Sequence, residues 1–323
     1  MIVAGFIAAS LVICGSCSTQ RKKGHNYARQ LFHFQYGVWT PDHAAYAESA
    51  GGALWTVNPG GQLSKFEGDH WTHYGKAEFE EPKDRLAVRV TRLAFRDGEA
   101  WEITGNGVAR FNGRSWRLYE DALKTDWPID MVAGPSGVWV IDFYGNLSRF
   151  DGKNWTIRNV TDISSAPPPP GWGYWLDADE PPRLVLTDDG RLWIYWHGLW
   201  RQEGDGWREI RPRGIDFNGS LLIGHDDTSV WFRTKDSDIL SVTPEGRIGV
   251  VYTWRQMGLS QEPEIRSLAV VGQRMWVASS GGLLTFDSQR WQNLGSPPGY
   301  PWVARVTVAM DGSVWVLGVK EVT

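Results

Sequence analysis

Trp172, Tyr174 and Trp175 stand close together between Pro167–Pro170 and the acidic residues Asp177, Asp179 and Glu180. Flat rings grouped in this way suit stacking against sugar rings or gripping an extended peptide. The prolines stiffen the segment and cannot join a central strand ladder, so an exposed connection is expected. Trp127, Trp254 and Trp302 are expected in other connections, and Trp196 stands in a turn beside His197. Together with the first three, these residues form the candidate set for binding a ligand or partner. Asp177, Asp179 and Glu180 lack the ligand spacing of an EF-hand loop and read as a solvated acidic segment, not as a calcium site.

Other chemistry has little to stand on. Among the 7 histidines, His70 and His73 are three residues apart across a Trp, a spacing that turns them to opposite faces of a strand. No Cys/His pattern suggests a metal, and neither Gly-x-Ser-x-Gly nor a phosphate-binding loop occurs. The expectation is therefore no catalytic residue, no metal and no cofactor. A net charge of −4 with interspersed signs, and no basic stripe, argues against a nucleic-acid partner.

The first residues suggest export. Residues 2–13 are apolar, and Cys14-Gly-Ser-Cys17 follows. So short a run suits a signal core better than a membrane span, which needs about 20 residues. Both cysteines of the chain lie here, which leaves none for a disulfide in the body. The segment resembles a bacterial lipoprotein signal, and that resemblance implies lipidation at Cys17, after Gly15-Ser16. The expected division is a signal over 1–16, a polar tether over 17–30 and a folded body over 31–323. A cleaved secretory signal and an uncleaved anchor held by Arg21-Lys22-Lys23 are the alternatives. Multiple acyl chains on Cys17 would hold the body beside a membrane without insertion.

The elements that must position these side chains come from a repeat. Leu63-Ser-Lys-Phe66-Glu-Gly-Asp-His-Trp71-Thr72 and Leu147-Ser-Arg-Phe150-Asp-Gly-Lys-Asn-Trp155-Thr156 are nearly the same sequence. Each such closing half follows an opening half, as in Gly137-Val138-Trp139. Opening tryptophans fall at Trp55, Trp101, Trp139, Trp193, Trp231, Trp276 and Trp315, with spacings of 38 to 54 residues. Roughly 40–50 residues is the length of a four-stranded propeller blade. Short apolar runs joined by turns such as Asp97-Gly98 support strands, and no long stretch has helical period.

The repeat series begins with a closing half, Leu31-Phe-His-Phe34-Gln-Tyr-Gly-Val-Trp39-Thr40, and ends with an opening half at Trp315. Residues 31–40 are thus expected to complete the blade of residues 303–319 and to cover two sheet edges that would otherwise be open. The predicted fold is all-β: a seven-bladed propeller of four-stranded antiparallel blades, closed by the N-terminal strands. Of 20 tryptophans, thirteen occupy repeat positions and are expected to pack between blades, where an indole N–H can find a backbone partner. Between Trp231 and Trp276, Ile248 stands where the closing Trp belongs.

These motifs resemble the two-component-regulator propeller repeat over about residues 31–317. That family places its propellers outside the membrane as input modules. Leu54-Trp-Thr-Val-Asn-Pro-Gly-Gly-Gln-Leu63 is similar to tectonin-type propellers, which bind glycans or lipopolysaccharide. Val230-Trp-Phe-Arg-Thr with Ile239-Leu-Ser-Val-Thr-Pro-Glu-Gly-Arg-Ile248 resembles streptogramin lyase-like propellers, which implies an enzyme using a His/Glu constellation and magnesium at the central channel. The residues favour the other class: a monomeric, non-catalytic binding or scaffolding propeller at the bacterial envelope, recognising a protein or glycan through its loop face.

Overall fold

The structure is a computed structural model. It describes residues 46–319 except 51–52, 58–61, 68–69, 77–91, 105–106, 120–127, 143–144, 160–181, 197, 216, 218, 297–299, 301 and 309–313.

All regular elements among the described residues are strands. The first sheet runs β1 (Tyr46–Ala50), β2 (Ala53–Val57), β3 (Gln62–Glu67) and β4 (His70–Lys76). The second holds β5 (Leu93–Arg96), β6 (Glu99–Thr104), β7 (Gly107–Phe111) and β8 (Trp116–Tyr119). The third holds β9 (Pro128–Gly134), β10 (Gly137–Asp142), β11 (Asn146–Phe150) and β12 (Trp155–Asn159). The fourth holds β13 (Arg183–Leu186), β14 (Leu192–Tyr195), β15 (Leu199–Glu203) and β16 (Gly206–Ile210). The fifth holds β17 (Leu221–His225), β18 (Val230–Arg233), β19 (Ile239–Val242) and β20 (Ile248–Tyr252). The sixth holds β21 (Ile265–Val271), β22 (Arg274–Ser279), β23 (Gly282–Phe286) and β24 (Trp291–Asn293). Last come β25 (Trp302–Val308) and β26 (Val314–Val319).

In every sheet consecutive strands are neighbours and antiparallel. The first strands β1, β5, β9, β13, β17, β21 and β25 touch in succession, and β25 touches β1, which closes a ring. This is a β-propeller. Among the described residues it has six four-stranded blades, not the expected seven, and β25 and β26 form a two-stranded sheet. Residues 31–40, expected to supply its outer strands, lie outside the described residues, as do the signal, the tether and Cys17.

The core is divided among the blade interfaces. Trp101, Ile103 and Val108 of the second blade bury against Met131, Val138 and Phe150 of the third. Trp139 and Ile141 of the third bury against Leu184, Leu192 and Ile194 of the fourth. At the ring's closure, Leu54 and Phe66 of the first blade meet Leu317, with Trp315 packed alongside. Each opening Trp therefore fills the wedge toward the following blade. Such apolar burial contributes about 25 cal/mol per Å².

Cross-strand register supplies a second use of the repeat. The closing Trp lies opposite the Phe of the third strand: Trp116 opposite Phe111, Trp155 opposite Phe150, Trp291 opposite Phe286. In the first three blades the residue before that Phe lies opposite the opening Trp and sends a cation over its ring. Lys65 covers Trp55 at 5.5 Å, Arg110 covers Trp101 at 5.6 Å and Arg149 covers Trp139 at 5.1 Å. Cation–π attraction of this kind contributes about 0.5–2 kcal/mol. The expected indole hydrogen bonds are not general. The N–H groups of Trp101, Trp139 and Trp193 have no hydrogen-bond partner among the described residues. Packing volume and the cation above the ring, not the N–H, favour Trp at these positions.

The Gly of the opening half has a steric cause. Gly137 has φ +144°, and a Cβ there would lie 2.5 Å from the Phe150 carbonyl oxygen. Glycine lets β10 approach β11 at a conformation that side chains rarely adopt.

Candidate functional site

Antiparallel alternation sorts the connections onto two ends of the ring. The turns between second and third strands share one end with the connections that lead from each outer strand to the next blade. The connections carrying Trp127 and Trp172–Trp175 enter β9 and β13 at this end. Trp127, Trp172, Tyr174, Trp175 and His197 themselves lie outside the described residues.

The described candidates take different positions. Trp196, expected to be available for recognition, is buried, with 9% of its surface exposed. It packs with Trp139, Leu147 and Trp200 between the third and fourth blades. Its ring fills the space beside Gly145, where a Cβ would come within 2.5 Å of it. Gly145 has φ +75°, so the turn both permits and requires glycine there. Trp196 thus belongs to the core, because the turn before β15 folds its side chain inward. Trp302 is not in a connection either: it opens β25 and lies opposite Val319. Trp254 stays in a connection, just after β20. It is half-buried, its backbone N–H donates to Asp238 Oδ1 at 3.1 Å, and the Arg255 guanidinium lies 4.6 Å from its ring centre.

The same end holds a polar clip that joins three blades. Asp130, near the start of β9, is 7% exposed. Its Oδ1 accepts from Arg92 Nε at 3.0 Å, and its Oδ2 accepts from the Leu184 backbone N–H at 2.9 Å. The Arg92 carbonyl in turn accepts from the Ile103 N–H at 3.2 Å. Asp142, fully buried at the end of β10, accepts from the N–H and Nδ2 of Asn146, both at 2.7 Å. Asn159 Nδ2 extends this chain to Asn146 Oδ1 at 2.9 Å. Sequence reasoning missed both groups. Arg92, Asp130 and Leu184 are 38 and 54 residues apart and carry no repeating signal.

Charged pairs elsewhere stiffen the sheets. Arg110 holds Glu99 through Nε at 2.7 Å and Nη2 at 2.5 Å. The hydrogen bond to Glu99, then that to Tyr119, raises the guanidinium pKa above its ordinary value. Burial raises the Tyr252 phenol above its ordinary value. No group of three or more His, Cys, Asp or Glu side chains is arranged to hold a metal among the described residues.

The fifth blade is the irregular one. Ser241 takes the place of the cation opposite Trp231, and Ile248 lies opposite Val242 at the start of β20. Ile248, Val250 and Val251 are exposed.

No family model matches the sequence, and no curated protein matches it. Solved structures do match the fold. YCF48 from Cyanidioschyzon merolae superposes with a TM-score of 0.58 at 16% identity, covering 88% of this chain and 95% of that one. YCF48 bound to D1 peptide gives 0.50 at 16% identity, over 79% of this chain and 83% of that one. The extracellular domain of the hybrid two-component system BT4673 from B. thetaiotaomicron gives 0.57 at 13% identity, over 85% of this chain but 39% of that one. At these identities the likeness is one of fold. It agrees with the resemblance to two-component-regulator propellers: this chain has the propeller architecture of such extracellular domains.

Proposed function

We propose that this chain is a non-catalytic binding or scaffolding propeller of the bacterial cell envelope. It recognises a protein or glycan through the loop face that bears Trp172, Tyr174 and Trp175. The observation that carries the reading is the use made of the buried carboxylates at that end. Asp130 and Asp142 accept hydrogen bonds from backbone N–H groups and from Arg92 and Asn146, as parts of the frame. A rigid ring with such clips presents its connections as a fixed platform, the arrangement that binding loops need. An extracellular propeller domain and a peptide-bound propeller among the similar folds support an envelope location and a protein partner.

Lipidation of Cys17 tethers the propeller to a membrane, and residues 31–40 complete the blade of β25 and β26. The deciding experiment is crosslinking and recovery of partners from the envelope with the full chain and with a Trp172→Ala/Trp175→Ala variant. Loss of partners in the variant supports the loop face, whereas unchanged recovery refutes it. Metabolic labelling with a palmitate analogue, wild type against Cys17→Ser, tests the anchor. Label retained by the Ser variant would rule out Cys17.

A further inference from the structure

The outer strands of the blades face the rim, where an unpaired edge invites another strand. Most carry devices against this. β8 has Arg117, β12 has Arg158, β16 has Arg208 and Glu209, and β24 is short and polar. β20 reads Ile248-Gly-Val-Val-Tyr252 and carries no charged or amide side chain. Ile248, Val250 and Val251 are 38%, 39% and 48% exposed, three of the four most exposed large apolar residues described.

Among the described residues β20 ends its sheet and pairs only with β19. A bulge sets Gly249 and Val250 against Ser241, and the Val250 N–H donates inward to Ser241 Oγ at 3.0 Å. A Cβ on Gly249 would lie 2.6 Å from that hydroxyl oxygen, so glycine keeps the bulge closed against β19. Past the bulge, alternation turns the N–H and C=O of Val251 outward. Tyr252 is anchored by the sixth blade, 4.9 Å from Phe286 and 5.2 Å from Trp291 between ring centres. The strand is thus held firmly from inside and left apolar and open outside.

Its ends are basic. Arg247 precedes β20 and Arg255 follows it; both are exposed, and neither has a carboxylate within salt-bridge distance among the described residues. Glu245, in the same turn as Arg247, is hydrogen-bonded with the Thr243 side chain and feels the charges of Arg201 and Arg247, which with that bond hold its pKa below the ordinary value. These charges choose between occupants. A second copy paired antiparallel about Val250 would set Arg247 of each chain against the Thr253–Arg255 turn of the other. Like charges meeting across strands disfavour that pairing. A foreign strand with carboxylates at its ends meets opposite charge at both.

We propose that β20 is a strand-addition site for an extended segment of a partner protein, with alternate apolar residues and an acidic residue at each end. Main-chain hydrogen bonds to the edge would give affinity, and the bracketing arginines would give selectivity. This surface lies at the rim and does not depend on the loop-face reading.

The test uses the full chain in mild detergent and two fluorescein-labelled peptides, Asp-Val-Thr-Val-Thr-Val-Asp and Lys-Val-Thr-Val-Thr-Val-Lys, followed by anisotropy. The acidic-ended peptide should bind saturably and at least tenfold more tightly than the lysine-ended one. Val251→Pro, which removes an outward N–H, and Val251→Lys should each weaken it at least tenfold. Val251→Lys keeps the test valid if the proline variant fails to fold. Arg247→Glu with Arg255→Glu should reverse the preference between peptides. Trp172→Ala/Trp175→Ala should leave peptide binding intact. Absence of saturable binding overturns the proposal, as does binding indifferent to both Val251 variants or lost in the loop-face variant. Sedimentation showing a wild-type dimer that Val251→Lys dissolves would make a second copy the occupant and also overturn it.

Discussion

Asp226 Oδ2 accepts the indole N–H of Trp231 at 2.8 Å. This is the fifth blade's substitute for the cation that Lys65, Arg110 and Arg149 place over the opening tryptophans of the first three blades. Ser241 lies at the cross-strand position here and is too short to serve. Asp226 Oδ1 also accepts from the backbone N–H groups of Thr228 at 3.1 Å and Ser229 at 2.8 Å. Asp226→Ala leaves a buried indole N–H and two turn amides without this acceptor. It should destabilise the protein by about 1–3 kcal/mol. A shift in the urea unfolding midpoint, read by tryptophan fluorescence, checks this. An unchanged midpoint would mean that water replaces the carboxylate without cost.

Trp196 separates a framework role from a recognition role. With its ring packed among Trp139, Leu147 and Trp200, Trp196→Ala opens a cavity. The expected loss is about 3–5 kcal/mol, as for other buried aromatic truncations. Thermal unfolding should show it, while partner recovery at a temperature where the variant is folded should match wild type. Normal stability with lost binding would return Trp196 to the recognition set.

Two turns contribute to the response to acid. Asp151 accepts from the backbone N–H groups of Asn154 at 2.8 Å and Lys153 at 2.7 Å, and these bonds hold its pKa below the ordinary 3.8. Asp287 is held down in the same way by Arg290 and Gln289. A depressed carboxyl pKa stabilises the fold above the unfolded-state pKa and ceases to do so as pH falls through the folded one. Stability should therefore drop as pH is lowered from about 5 to below the ordinary 3.8. In Asp151→Asn/Asp287→Asn the slope of melting temperature against pH should be shallower over that window. An identical slope would place the acid sensitivity elsewhere.

Blade closure makes its own forecast. Among the described residues β26 pairs only with β25. If residues 31–40 pair with its outer edge, outward amides within Val314–Val319 should be protected in hydrogen exchange. Deleting residues 31–40 should expose them and lower the melting temperature. Equal exchange in both chains would show that another segment, or none, covers β26.

Much of the architecture was legible in the chain. Opening halves marked the second strand of every sheet, and closing halves marked the hairpin of the third and fourth strands. Such repeats can be read because each blade must solve the same packing problem, so the same residue types return at the same offsets. In the first three blades the cations over the tryptophans were present in the repeat as the residue before the Phe. Sequence spacing alone did not show that this residue lies opposite Trp, because that depends on hairpin register.

The candidate site was less legible. Trp196 and Trp302 left the repeat pattern and so resembled free aromatics, yet one fills the core and the other opens a strand. A departure from a repeat marks irregularity, and whether it faces solvent depends on the neighbouring blade. The Arg92–Asp130–Leu184 clip joins residues of three blades and has no local signature at all.

By itself the sequence determined the class of fold, the blade unit and its spacing, and the unusual fifth blade, because these follow from local periodicity and turn chemistry. Only the tertiary structure decided which tryptophans are buried, which carboxylates tie blades together and which outer edge is left apolar. Those properties belong to contacts between blades, and a contact between distant segments is set by how the ring closes, not by what stands next along the chain.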